Sequence, residues 1–477
     1  MLDFSKFDGD KSFFAFFEKI SKIPRGSGHC EKIADYLVDF ANSRNLFSYR
    51  DEYNNVVIKK TATTGYETSP TVILQGHTDM VITKKSDCDS NIESDGVSIY
   101  IDGDFLRARG TTLGADDGVA VAYMLAILDS NELSHPSIEA VFTADEEIGL
   151  IGAGGLDASV LSGNTMINLD SDSEGVLIAG CAGGIRLDMT ANLNSVTVNE
   201  YQLLEISGLL GGHSGGEITA GRINAIKLLC ELIPEGTMIG DIQGGNADNA
   251  IPAYARCKLS ADTDISPSIS EALAKLCDKE KNLKISCDKF TAPCELFTKE
   301  DSAKILALIK REHYGPIEMN EDIPTLPETS MNLGIIKTDE NTVTLTASIR
   351  SASQNKKLST VLNAEKIAEN LGFSIIRSGD YPGWEFKKNS PLREAISNAF
   401  EKLYCKKTKT IIIHAGLECG LFSGKIENLD CVSTGPTAYD IHTPDERLSI
   451  SSAIRVYKLL CRVLSDLKEK NYEQDKA

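Results

Sequence analysis

Positive charge is scarce in this chain. Its 477 residues hold 49 lysines and arginines against 69 aspartates and glutamates, a formal net charge of −20. Binding nucleic acid as a main role needs basic patches for the phosphates, so that class is disfavoured. Long apolar runs are also missing. No stretch reaches the roughly 18 unbroken apolar residues of a membrane span, so no membrane partner is expected. The opening Met1-Leu2-Asp3-Phe4-Ser5-Lys6 lacks the charged-then-apolar pattern of a secretory signal. None of the twelve cysteines stands in C-x-x-C spacing, and many have apolar neighbours, as in Leu228-Leu229-Cys230 and Leu459-Leu460-Cys461. They read as reduced core thiols, not as a disulfide framework. What remains is a cytoplasmic globular protein, for which 42% hydrophobic and 25% charged residues are ordinary.

Length predicts two domains, because one hydrophobic core rarely supports so long a chain. Residues 12–46 show helical spacing of apolar side chains, broken at Pro24-Arg25-Gly26. Thr71–Leu74 reads as a short buried strand that delivers Gly76-His77-Thr78-Asp79 at its carboxyl end, where open α/β sheets place their ligands. Val119–Leu128 is apolar almost all round and predicts a buried helix starting near Asp117. Ile138–Thr143 and Thr165–Leu169 read as further strands. Alternating strands and helices predict a layered α/β domain. From about Ile185 the pattern changes to half-buried strands, with helices near 222–233, 267–278 and 356–371. After Tyr381-Pro382-Gly383-Trp384 the first pattern returns. The expected architecture is therefore a discontinuous α/β catalytic domain, 1–185 and 384–477, with an inserted α+β lid domain, 186–383. The charged tail from Lys468 is expected to fray.

Histidine is the other scarce residue: there are seven. His77 and His442 stand in settings suited to metal, and three acidic stretches lie between them: Gly114-Ala115-Asp116-Asp117-Gly118, Asp145-Glu146-Glu147-Ile148-Gly149 and Asn168-Leu169-Asp170. Two imidazoles with several carboxylates suit a two-metal hydrolase. His77 and Asp79 share one side of an extended segment, so Asp79 can take the second ring N–H and fix the tautomer. Asp116 and Asp117 have a plainer reading as helix caps. Glu146 and Glu147 could be a solvated acidic loop, but they follow an apolar strand and precede Ile148-Gly149-Leu150. On an extended chain they diverge, leaving one for metal and one as a general base. Asp170 and His442 read equally as capping and turn residues. His29, His135 and His313 have polar or turn neighbours and are expected at the surface.

In order, the stretches Gly76-His77-Thr78-Asp79-Met80-Val81, Gly114–Gly118, Asp145–Gly149, Asn168–Asp170 and His442-Thr443-Pro444-Asp445-Glu446 resemble the M20 metallopeptidases. Gly211-Gly212-His213-Ser214-Gly215-Gly216-Glu217-Ile218 and the segment His414–Phe422 resemble its aminoacyl-histidine dipeptidase branch, the cytosolic non-specific or carnosinase-like (PepD-like) dipeptidases. The resemblance covers nearly the whole chain, and Thr443 replaces a frequent serine. It implies two zinc ions per chain, with cobalt or manganese as substitutes. His77, Asp116 and Asp170 would hold one, and Asp116, Glu147 and His442 the other. It also implies Asp79 as orienter of His77, Glu146 as general base, a cis peptide after Asp116 and His213 as oxyanion donor. Asn249 and Arg350 would hold the substrate, Arg350 through its bidentate fork, with Gly416 and Glu418 lining the site from the catalytic domain. The implied reaction is hydrolysis of dipeptides of the Xaa-His type, such as carnosine, by an enzyme that is often a homodimer. The alternatives are an M20-type deacylase of N-acyl amino acids and a metal-dependent binding protein without turnover.

Overall fold

The structure is a computed structural model and describes residues 2–321 and 323–468. The tail expected to fray lies, from residue 469, outside the described residues. The chain divides into two compact units. One takes in the chain up to Gly180, Phe386–Ile412 and the chain from Leu417, and the other Cys181–Glu385 and Ile413–Gly416.

The first unit is built on an eight-stranded sheet. Its order is Phe47–Arg50, Val56–Lys60, Ile138–Thr143, Val72–His77, Thr165–Asn168, Asp430–Ser433, Val176–Cys181 and Lys409–Ile413. The four central strands run parallel, and antiparallel strands flank them. All six residues of Val72–His77 and all six of Ile138–Thr143 are buried, as a parallel strand covered on both faces requires. The helix Ala115–Asp129 is buried on almost every side, as its unbroken apolar sequence predicts. Tyr123 on it packs edge-on against Phe13, with ring centroids 4.8 Å apart, and gives its hydroxyl to the Ala453 carbonyl at 2.7 Å. Such aromatic side chains each contribute on the order of 1.5–3 kcal/mol by leaving water. The expected helical stretch 12–46 forms two helices, Ser12–Ile20 and Glu31–Asn42, split at the proline-glycine break.

The second unit is an antiparallel sheet with helices. Its long strands include Gly183–Asn192, Ser195–Ser207, Lys284–Phe297, Pro327–Asp339 and Thr342–Ser351. The helices Ala225–Leu232, Ser266–Leu276 and Gln354–Asn370 stand where periodicity placed them, and Lys299–Arg311 is an additional one. A two-stranded ribbon pairs His213 with Ala250. Burial of Leu187, Met189, Leu204, Ile206, Leu333, Leu345 and Ala347 gives this unit its own core. One surface expectation is overturned. His135 is fully buried, with its Nδ1 2.7 Å from the carbonyl of Pro136 and its Nε2 without a hydrogen-bond partner, and burial lowers the imidazole pKa, favouring the neutral ring.

Candidate active site

Strand register brings the acidic stretches together. His77 is the last residue of its strand and pairs with Thr143, two residues before Asp145, while Gln75 pairs with Asn168, two residues before Asp170. Their side chains therefore issue from the carboxyl ends of adjacent parallel strands. Asp116 reaches the same place from the turn opening the helix Ala115–Asp129, where the Asp116–Asp117 peptide is cis and Gly114 has a φ of +68°. Gly76 allows this approach, since a Cβ there would lie 2.5 Å from Oδ2 of Asp117 and 2.6 Å from Cβ of Ala120.

The two oxygens of Asp116 face different imidazoles. Oδ1 lies 3.0 Å from Nε2 of His77, and Oδ2 lies 3.2 Å from Nε2 of His442. The His442 Nε2 is also 2.8 Å from Oε1 of Glu147. Ligand atoms of His77, Asp116 and Asp170 lie within 4.8 Å of one another, as do those of Asp116, Glu147 and His442. A third such group, His77, Glu146 and Glu147, was not expected, because the two glutamates were to diverge. They sit instead on a turn after Asp145, whose φ is +55°. Asp79, fully buried, accepts the N–H groups of Glu146 at 3.0 Å and Glu147 at 3.3 Å, and the Ser27 hydroxyl at 2.8 Å.

Electrostatics set what this cluster can hold. Five carboxylates, Asp79, Asp116, Glu146, Glu147 and Asp170, surround two imidazoles. Burial, with the neighbouring Asp116 charge, pushes the Asp170 carboxyl well above its usual range. Burial also pushes Glu146 up to about 8, with Glu418 and Glu147 adding to it. The Asp116 and Glu147 carboxylates close to its ring carry His442 up to about 10. Burial acts to lower His77, but the Asp116 and Asp79 carboxylates outweigh it and raise the imidazole well above its ordinary value. Oε1 of Glu147 is buried without an aligned hydrogen bond despite its short distance to His442. Close approach without alignment is what two ligands of one cation make, and the nitrogen and oxygen donors suit zinc. The residues therefore fit divalent metal.

Glu418 is fully buried. Its Oε2 accepts the Gln75 amide at 2.5 Å and the Thr143 hydroxyl at 2.8 Å, while Oε1 has no partner. Gln75 in turn accepts the Asn168 amide at 2.6 Å, so three strands are joined beneath the ligands. Burial pushes Glu418 up to about 7.

The other expected residues lie in the second unit. His213 Nδ1 accepts the N–H groups of Gly215 at 3.2 Å and Gly216 at 3.1 Å. Two donors aimed at Nδ1 leave the ring proton on Nε2, and burial, then the Arg350 charge, lowers the imidazole pKa. Asn249 is exposed and stands beside this ribbon, where its carbonyl accepts the Ser214 N–H at 2.8 Å. Arg350 pairs across strands with Ser330 and Gly184, and its Nη1 donates to the Tyr381 hydroxyl at 3.0 Å. Gly416 was expected in the catalytic half but groups with this unit. A Cβ on Gly416 would lie 2.8 Å from the Tyr381 ring. His414 is buried, with Nε2 2.6 Å from Oγ of Ser330, and burial drives it down to about 3, which leaves the ring neutral. Sequence reasoning passed over Arg25, Gln75 and Thr143. Of these only Gln75, a polar residue inside an apolar strand, carried a readable signal.

The chain is similar to known proteins over most of its length. Residues 73–466 match the model of peptidase family M20/M25/M40. The chain is 36% identical over 472 residues to the cytosol non-specific dipeptidase of Escherichia coli K12, covering 95% of this chain and 97% of that protein. It is similar to the crystal structure of aminoacylhistidine dipeptidase from Vibrio alginolyticus, with a TM-score of 0.86, 34% identity and coverage of 97% and 98%. Aminopeptidase PepT from Bacillus cereus, at 15% identity and a TM-score of 0.57 over 96% of this chain and 98% of that one, shares the fold. No helix among the described residues is long and apolar enough to cross a membrane. With the family model spanning most of its length, this chain belongs to peptidase family M20/M25/M40.

Proposed function

We propose that this chain is a cytoplasmic di-zinc dipeptidase that hydrolyses Xaa-His dipeptides such as carnosine, within a broader dipeptide range. The observation that carries the reading is the pair of ligand groups, His77–Asp116–Asp170 and Asp116–Glu147–His442, joined by one carboxylate. The names of the Escherichia coli and Vibrio relatives support dipeptides as substrates.

Zinc bound there would polarise the scissile carbonyl and acidify the attacking water. Asp79 orients His77 and fixes the turn that carries both glutamates. Glu146 takes the proton from the water and returns it to the leaving nitrogen. The Nε2–H of His213 donates to the oxygen that becomes negative. Arg350 binds the terminal carboxylate through its planar fork, with Asn249 and Gly416 contributing to substrate binding. Glu418 acts through Gln75 and Thr143.

The test is a substrate panel on zinc-loaded protein. It compares carnosine and other Xaa-His dipeptides, dipeptides without histidine, and N-acetyl amino acids. Turnover of the dipeptides supports the reading, and activity confined to N-acetyl amino acids replaces it with a deacylase. Glu146→Ala abolishes turnover while zinc content stays near two per chain. Unchanged turnover would refute the base assignment, and wild-type protein that binds zinc without any turnover would point to a binding protein.

A further inference from the structure

Glu446 lies four residues beyond His442 and is 2% exposed. Its carboxylate accepts four consecutive backbone N–H groups, from Leu113 at 2.7 Å, Gly114 at 2.9 Å, Ala115 at 2.8 Å and Asp116 at 3.3 Å. They converge because Gly114 is left-handed and the helix begins directly after it, which makes an anion-binding concavity. Arg25, 1% exposed, holds the same turn by its carbonyl side. Its Nη2 donates to the Gly114 carbonyl at 2.5 Å, and its Nη1 to the carbonyls of Thr78 at 2.9 Å and Asp79 at 3.2 Å. Gly114 and Gly118 leave room for the guanidinium, since a Cβ on either would fall 2.6 or 2.5 Å from Nη2. Gly114 is thus gripped at its N–H by an anion and at its carbonyl by a cation.

We infer that Arg25 and Glu446 are paired positioning residues that set where Asp116 stands between His77 and His442. Arg25 ties the Asp116 turn to the segment carrying His77 and Asp79. Glu446 ties the same turn to the segment carrying His442. The inference rests on the metal reading proposed above. The reach of Asp116 to both imidazoles depends on the height of this one turn. In Glu446→Gln the side-chain amide would turn donor hydrogens toward backbone donors, so at least two of the four bonds would be lost. The exposed Lys85–Asp445 pair beside it is a weak tether by comparison.

The experiment measures zinc binding by equilibrium dialysis of the full chain, with circular dichroism and thermal unfolding alongside. The variants are Glu446→Gln, Arg25→Met and Val456→Ala, a core change that matches for lost stability. The expected result is at least tenfold weaker zinc binding in Glu446→Gln and Arg25→Met, with two zinc ions retained by Val456→Ala. Wild-type affinity in both clamp variants, or equal loss in Val456→Ala, overturns the inference. Should the clamp variants fail to fold, hydrogen exchange on metal-free wild-type protein decides. The amides of Leu113–Asp116 should exchange at least a hundredfold more slowly than those of the exposed segment 86–91. Fast exchange there overturns the clamp, whereas wild-type protein that takes up no zinc overturns the metal reading itself.

Discussion

Oδ1 of Asp79 lies 3.3 Å from Nδ1 of His77, and both side chains are sealed from solvent. The same carboxylate accepts the N–H groups of Glu146 and Glu147. One buried anion thus lies against an imidazole and anchors the turn bearing two acidic neighbours.

Asp79→Asn keeps the shape, removes the charge and points an amide donor at backbone donors. Zinc affinity should fall 10- to 100-fold, the usual cost of losing a carboxylate behind a ligating histidine. Competition with a chromophoric chelator measures it. Unchanged affinity would show that His77 needs no orienting anion.

Metal uptake should release protons. Without metal, His442 at about 10 and Glu146 at about 8 both hold a proton at neutral pH. Zinc would displace the proton on the ligand His442, and the raised ligands His77 and Asp170 add to the release, so at least one proton should leave as the centre fills. Calorimetric titration at pH 7 in buffers of different ionisation heat reads the number directly. A heat independent of buffer contradicts the expectation.

His213→Ala should cost turnover more than binding. In the proposed mechanism the neutral His213 Nε2–H meets the developing oxyanion, a contact made chiefly in the transition state, and removing one such donor lowers kcat by about 10²–10³. Steady-state kinetics on a good dipeptide separates kcat from KM. A change confined to KM would make His213 a ground-state binding residue.

Away from the metal centre, Glu312 gives stability a pH dependence. Burial pushes its carboxyl up to about 8 from 4.5, partly offset by Lys227, and its Oε1 has no partner. Between those values the folded chain holds more protons than the unfolded one, so stability falls as pH rises through the window. Below pH 4.5 the penalty is absent, and above 8 it is complete. Glu312→Gln should therefore be more stable than the parent at pH 9, by on the order of 2–4 kcal/mol. The gap should close toward pH 4.5 in urea unfolding series. An offset constant with pH would refute this origin.

Much of the fold could be read from local pattern. The run Ile138–Thr143 and the all-apolar helix around Val119–Leu128 are burial signals that survive without context. Grouping His77 with Asp116, and Glu147 with His442, came from family likeness, and the side chains do meet. Arg25 was opaque because Pro-Arg-Gly signals only a break, while its contacts are to carbonyls more than fifty residues away. His135 misled because Ser134 and Pro136 look like a surface turn, yet the ring is buried with one nitrogen against the proline carbonyl. The edge strand Lys284–Phe297 is mostly exposed and carries little apolar alternation. The helix after it had a usable cue, since Thr298 caps the N–H of Asp301.

The parallel register at the sheet centre works as a gauge for the acidic cluster. His77 opposite Thr143, and Gln75 opposite Asn168, fix ligand spacing by the distance between hydrogen-bonded strands, before any side chain is chosen. A one-residue deletion within Thr165–Asn168 would turn every following side chain to the opposite face and carry Asp170 off the gauge. Loops at the opposite, amino ends of these strands can lengthen, whereas the ligand-bearing turns and the strands themselves cannot change in length without moving the cluster.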